Sequence, residues 1–392
     1  MKRDVIDNPT APIKQVYNAA VARMQRHPVQ GGGDRPPRVE AYHSFRTVLN
    51  RTRVSQLPEI PVEVEDVVIE GQWAETWLQE RFLLHQDNDL GIALFAPDAN
   101  LTALQQCREI YMDGTFRCCP RPYVQFFTII GRYRGWIVPL VTVLMANRNI
   151  GCYRQVLTAV KRQVRLITHR RWQPQIVICD FEQALINAVE TELPNADVRG
   201  CYFHFTQNLW RRVQELGLAV PYRRNRRLRK CIRKVMSLGY LPMPIMQMNF
   251  NLLRTARRTT NLINRYPALM DFFAYIMNTY VNGTFPPALW NVYERNMGLR
   301  TNNNLESYHR VLNDTVVVKH PSLWTFIRHL RDIQANVESS INSADLGDAP
   351  PPRRRKWRQL EARLQRLKDQ YVNGERDLDS YWQAVSHCVG YH

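Results

Sequence analysis

No stretch of this 392-residue sequence stays apolar long enough to cross a bilayer. The longest nearly uninterrupted apolar run, Trp136 to Ala146, falls far short of the roughly 20 residues that a spanning helix needs. The polar residues after Met1 hold no signal-peptide apolar region, so the expectation is a soluble protein that acts inside the cell. A disulfide framework is equally absent. The eight cysteines include no Cys-x-x-Cys pair, and Cys118 and Cys119 are neighbours, which suits a reducing compartment. The first cysteine is Cys107, and this excludes a cysteine-ligated zinc finger in residues 1–106. Acidic residues are also in deficit. Aspartate and glutamate number 35 against 53 lysines and arginines, a formal charge of +18. That balance points to a polyanionic partner, nucleic acid ahead of a membrane surface, since no strongly amphipathic terminal anchor is visible. No internal repeat is evident.

Hydrophobic residues make up 45% of the chain, enough for a sizeable core and, at this length, about two or three domains. Residues 1–64 read as a polar segment and linker, with a helix near Pro12–Arg26 followed by the Gly31-Gly32-Gly33 and Pro36-Pro37 breakers. A helix-like stretch around Trp73–His85 and a short strand at Gly91–Phe95 follow. Strands are then expected at Glu109–Phe116, Tyr123–Gly131 and Trp136–Met145, the last two joined by a turn at Tyr133-Arg134-Gly135, in an antiparallel meander. A helix at Tyr153–Thr168, the apolar strand Ile176–Cys179 and a helix at Glu182–Glu192 complete a first core segment, residues 65–205. Residues 206–300 read as a basic α-helical insertion. Residues 301–344 read as a return to the core, with a helix beginning near Asn303, and residues 345–392 as a linker and a basic C-terminal helix. In that helix Trp357, Leu360, Leu364, Leu367 and Tyr371 repeat at heptad spacing. The repeat fits packing on the protein's own body better than self-association, because two heptads are too few for a coiled coil.

Two aspartates sit where strands expose their ends. Asp113 lies in Tyr-Met-Asp-Gly-Thr-Phe, on the opposite strand face from Met112, and Asp180 follows the run Ile176–Cys179. Sites in open α/β sheets form at the carboxyl ends of strands. Two carboxylates on neighbouring strands, with a third from a helix, can hold two divalent ions about 3.5–4 Å apart. Taken singly, each aspartate also has an ordinary reading, since Asp before Gly is common in turns and Asp after a strand is a common helix N-cap.

The combination is more specific. Asp113-Gly114-Thr115-Phe116, Phe126-Phe127-Thr128, Asp180-Phe181-Glu182, Gly200-Cys201-Tyr202-Phe203-His204 and Thr301-Asn302-Asn303-Asn304-Leu305-Glu306 together resemble the catalytic domain of Mutator-like element (MULE) transposases, over roughly residues 65–340. The resemblance implies an α/β, ribonuclease-H-like core of the DDE transposase and integrase kind, with an α-helical insertion and helical N- and C-terminal extensions. It implies metal-dependent DNA strand cleavage and strand transfer in the nucleus. Asp113, Asp180 and Glu306 would form the acidic triad for two Mg2+ or Mn2+ ions, and transposon ends and target DNA would be the partners. Glu182 reads instead as a first-turn acid favoured by the helix dipole, and Glu294 is the rival for Glu306 but lacks the Asn-rich cap.

Cys201 and His204, spaced i, i+3, match the family's Cys-x-x-His and are assigned to DNA contact or to structure. A zinc site would need four ligands, and Cys231 and His309 are its only candidate completions. Arg223, Arg224, Arg226, Arg227, Arg229, Lys230, Arg233 and Lys234 surround Leu228, Ile232 and Val235, so one helix face would be buried while the rest grips DNA phosphates. Related enzymes usually carry a zinc-binding recognition module ahead of the core. Its lack here leaves three expectations: a module encoded elsewhere, a truncated chain, or a domesticated, non-catalytic DNA-binding or regulatory derivative. A generic ribonuclease-H-like nuclease would explain the triad but not the Cys-x-x-His and Asn-rich blocks, and a homo-oligomer stays open.

Overall fold

The computed structural model describes residues 1–7, 11, 13–26, 41–55, 57–116, 118–295, 321–352 and 354–389. Glu306, His309 and the helix expected near Asn303 lie outside the described residues. The chain is a mixed α/β protein with a seven-stranded sheet. Its strands are β1 (Leu83–Asp87), β2 (Ile92–Phe95), β3 (Glu109–Thr115), β4 (Gln125–Tyr133), β5 (Trp136–Met145), β6 (Ile176–Cys179) and β7 (Asp197–Gly200), in the order β1-β2-β5-β4-β3-β6-β7. The pairs β1/β2, β2/β5 and β4/β5 are antiparallel, whereas β3/β6 and β6/β7 are parallel.

The β4–β5 hairpin closes as the turn residues dictate. Tyr133 pairs with Trp136, and the two residues between them, Arg134 at φ 47° and Gly135 at φ 89°, both take the left-handed conformation that a tight two-residue hairpin requires. Strand β4 is buried at almost every position, so the adjacent apolar pairs Phe126-Phe127 and Ile129-Ile130, which break a polar alternation, reflect cover on both faces.

The helix expected over Trp73–His85 does not form. Only Gly71–Ala74 makes a single 3-10 turn. Beyond it the Thr76 hydroxyl accepts the N–H groups of Leu78 and Glu80, and Gln79 sits at φ 60°. The spacing of Trp73, Trp77 and Leu84 imitates a helical period, but Leu83–Asp87 has a better partner for its backbone in β2. Tertiary pairing overrides local pattern here. Strand β7 and the helix Asp98–Gln106 were not anticipated.

The chain divides into two compact units. The first comprises the described residues of 1–107, 114–172 and 307–348. Its helices α1 (Lys2–Asp7), α2 (Ile13–Arg26) and α3 (Tyr42–Val54) surround a small apolar cluster of Val5, Ile13, Val16, Tyr17 and Leu49, where the composition suggested one helix and a linker. The helices α4 (Asp98–Gln106), α5 (Ile150–Thr168) and α14 (Leu323–Asp345) cover its strands. Asn100 of α4 exchanges side-chain hydrogen bonds with Gln334 of α14, which pairs two buried amides that would otherwise be costly to leave unsatisfied.

The second unit comprises residues 108–113, the described residues of 173–306, and those of 349–392. It holds β6, β7 and β3 as far as Asp113, then α6 (Gln183–Glu192), α7 (Tyr202–Glu215), α8 (Ala219–Arg224), α9 (Arg226–Met236), α10 (Met243–Thr255), α11 (Arg257–Arg265), α12 (Ala268–Ile276) and α13 (Pro287–Trp290). The C-terminal α15 (Arg355–Val372) and α16 (Leu378–Cys388) belong to it as well. Phe205 stacks on Trp290 at 4.6 Å and 6° within its core. Leu364 and Leu367 of the heptad run are buried there, with Leu360 and Tyr371 packed alongside. That stripe therefore serves the protein's own core. No helix among the described residues is long and apolar enough to cross a membrane.

Candidate metal centre

Three consecutive sheet neighbours, β3, β6 and β7, each deliver one side chain to the same end of the sheet. Register does most of this. Met112 of β3 pairs with Cys179 of β6, and Cys179 pairs in turn with Gly200 of β7. The next residues along are Asp113, Asp180 and Cys201. Cys201 donates its backbone N–H to the Cys179 carbonyl at 2.9 Å and precedes the first turn of α7, and that turn carries His204 over the strand ends.

One potential ligand atom from each of Asp113, Asp180 and His204 lies within 4.8 Å of the others. The Nε2 of His204 is 3.9 Å from Oδ2 of Asp113, and its Nδ1 is 3.6 Å from Oδ1 of Asp180. The site is graded from inside to outside, with side-chain exposures of 6% for Asp113, 14% for His204 and 40% for Asp180. Asp180 is aimed by its own backbone, since Oδ1 accepts the Phe181 N–H at 2.6 Å.

His204 reports the electrostatics of this corner. Burial alone would disfavour the charged ring, but Cys201 and then the carboxylates of Asp113 and Asp180 outweigh it, and its pKa is pushed up to about 10. Positive charge is thus favoured where two carboxylates converge, the place a cation would take. The residues fit a divalent ion on a second count. The Nδ1 atom of His204 is buried without a hydrogen-bond partner, and such an orphan in a polar corner calls for an explanation.

Other features of the motif residues are structural. A β-carbon on Gly114 would overlap the Gln125 side chain at 1.7 Å, and Gln125 in turn accepts the Tyr153 hydroxyl at 3.0 Å. Tyr202 donates its hydroxyl to the Met236 carbonyl at 2.5 Å. Phe181 packs edge-on to Tyr280 and Phe285. Arg295, 7% exposed, donates to the Gly200 and Leu289 carbonyls and so fastens the end of β7. Sequence reasoning missed Arg295, whose immediate neighbours Glu294 and Asn296 are polar and give no local sign of burial.

Glu294, the rival weighed against Glu306, is 83% exposed and lies 3.3 Å from Lys368. Glu182 stands just before α6 as its N-cap, one residue earlier than the first-turn position expected. Neither belongs to the Asp113–Asp180–His204 group. Cys231, a suggested zinc completion, is buried in the second unit's core and is likewise outside that group.

The basic helix α9 behaves partly as its pattern implies. Leu228, Ile232 and Val235 are buried, and Arg223, Arg224, Arg226, Arg227 and Lys230 are exposed or half-buried at the surface. The other three cations have internal work: Arg229 donates to the Arg223 carbonyl, Arg233 to the Tyr222 hydroxyl, and Lys234 to Asp379 at 2.6 Å.

Residues 109–208 match the family model of the MULE transposase domain. That interval opens with β3 and ends within α7, and it contains Asp113, Asp180, Cys201 and His204. A comparison with curated proteins gives no match.

Proposed function

We propose, for a chain that carries a MULE transposase domain at residues 109–208 and so stands with the Mutator-like transposases, that it is a DDE-type transposase catalytic protein acting on DNA in the nucleus. The observation that carries this reading is the convergence of Asp113 and Asp180 with His204 within 4.8 Å, inside the matched interval and at one end of adjacent parallel strands. A ribonuclease-H-like core is the fold we propose for it, since a meander followed by parallel strands bearing such aspartates suits that arrangement. Glu306 is assigned as the third carboxylate from the resemblance of its Asn-rich segment alone.

When bound, Mg2+ or Mn2+ supplies an activated oxygen nucleophile and charge stabilisation at the leaving oxygen. The protein's part is to fix the donors. Asp113 is held in the sheet interior with little freedom, and Asp180 has Oδ1, the oxygen that faces His204, fixed in place by the Phe181 N–H. The exposed arginines of α8 and α9 supply phosphate contacts that hold DNA of any sequence.

The test is strand cleavage and strand transfer on DNA carrying the element's ends, at low salt, with Mg2+ or Mn2+. Asp113→Asn, Asp180→Asn and Glu306→Gln are each expected to cut the rate at least about 100-fold while the fold is retained, because even groups behind metal ligands cost about 10–100-fold. A wild-type protein that binds this DNA tightly yet never cleaves it would replace this reading with the non-catalytic regulatory one.

A further inference from the structure

We infer that His204 is an inner-sphere metal ligand alongside Asp113 and Asp180, and that its imidazole makes the centre favour Mn2+ over Mg2+. This rests on the proposed metal-dependent reading of the same site and names the ion and the residue that selects it.

The placement is built into the fold. His204 reaches the two carboxylates because β7 pairs with β6 and α7 starts directly after it. Its ring lies between them, with Nε2 toward Asp113 and Nδ1 toward Asp180. Ligands held about 2.1 Å from an octahedral ion stand about 3.0 Å apart when adjacent and about 4.2 Å apart when opposite. The 3.6 Å between Nδ1 and Asp180 Oδ1 falls within that span, and one ligand atom from each of the three residues lies within 4.8 Å of the others, whereas a ring nitrogen that only donated a hydrogen bond to Asp180 would be expected near about 2.9 Å. Nδ1 is buried without a hydrogen-bond partner while it faces a carboxylate, and a metal that displaces the ring proton on binding would satisfy both. The donor set then contains two oxygens and one nitrogen. Mg2+ binds oxygen almost exclusively and keeps its waters, while imidazole nitrogen raises affinity for first-row transition ions. An all-carboxylate centre would lack that bias.

The full-length protein is loaded with Mn2+ alone and examined by electron spin-echo envelope modulation. The expected result is a directly coordinated 14N signal that converts to the 15N pattern when only histidine is 15N-labelled, a readout that needs no substitution. His204→Gln should bind Mn2+ without the nitrogen signal, and its Mn2+-over-Mg2+ preference, measured by competition, should fall about tenfold. Mn2+ bound to wild type without nitrogen coupling overturns this inference and leaves the proposed function standing. A signal that persists in a folded His204→Gln variant overturns it too, by assigning the nitrogen to another histidine. Mn2+ that fails to bind, with Asp113→Asn and Asp180→Asn behaving like wild type, removes both.

Discussion

A β-carbon on Gly200 would stand 2.5 Å from the ring of Phe181, the residue whose backbone N–H holds Asp180. The glycine at the end of β7 is therefore what lets the Phe181 ring close over the strand, and the carboxylate beside it depends on that closure. Gly200→Ala should destabilise the protein by about 1–3 kcal/mol, the usual cost of overpacking, because the Leu289 carbonyl at 3.2 Å blocks escape on the other side. Urea denaturation measures this. Combined with Phe181→Leu, the loss should be less than the sum of the two single changes, and strict additivity would show that these residues do not meet.

Acid sensitivity should come in part from His329. It lies in α14, 6% exposed, with Nδ1 unpartnered. Burial holds its pKa below the ordinary histidine value, opposed by Asp332 and assisted by Arg53. The unfolded chain thus takes up the proton more readily than the folded one. Stability is intact above the ordinary value of about 6.5 and falls as pH drops below it, by at most about 1.4 kcal/mol per pH unit for this one group. Comparison of urea midpoints at roughly pH 7.5 and 5.5, on either side of that value, should show a smaller decline in His329→Leu than in wild type. Equal declines would clear His329 of the effect.

What could be read ahead of the structure followed from how local each signal is. Strands β3 to β6 announce themselves by dense β-branched and aromatic runs, and the Arg134-Gly135 turn by a glycine where left-handed backbone is needed. The adjacency of Asp113 and Asp180 followed from the family resemblance and the metal argument, not from periodicity. Strand β7, Asp197–Gly200, has one large apolar residue, Val198, and becomes a strand only because β6 offers it a parallel partner. Missing β7 meant missing what sets His204 beside the aspartates, although the Cys-x-x-His spacing had drawn attention to it. Trp73–His85 failed in the opposite sense, with a helical apolar period realised as a turn and an edge strand.

The choice of third carboxylate can be decided by substitution. Glu294 is 83% exposed and 3.3 Å from Lys368, while Lys368 is also held by the Tyr293 carbonyl at 2.6 Å. An exposed pair of this kind contributes about 0–1 kcal/mol. Glu294→Gln should therefore leave both cleavage and the denaturation midpoint close to wild type, whereas Glu306→Gln should abolish cleavage. Full activity in Glu306→Gln together with loss in Glu294→Gln would reverse the assignment.

The cations of α8 and α9 should separate into two classes under charge reversal. Arg223, Arg224, Arg226 and Arg227 lie at the surface, and changing all four to Glu should leave stability within about 0.5 kcal/mol per site. Affinity for DNA of any sequence should fall, and the slope of log K against log salt should shrink by about 0.9 for each phosphate no longer neutralised. Arg233 and Lys234 should behave differently. Arg233 bonds the Tyr222 hydroxyl, and Lys234 bonds Asp379 and lies over the Trp382 ring at 4.7 Å. Reversing these two should lower the denaturation midpoint, because Lys234→Glu sets a carboxylate against Asp379 and against the negative face of the Trp382 ring that attracted the ammonium. Salt titrations of DNA binding by fluorescence anisotropy, run beside urea melts on the same variants, resolve the classes. Reversal of the surface four with no change in either affinity or salt slope would move the DNA interface off α8 and α9.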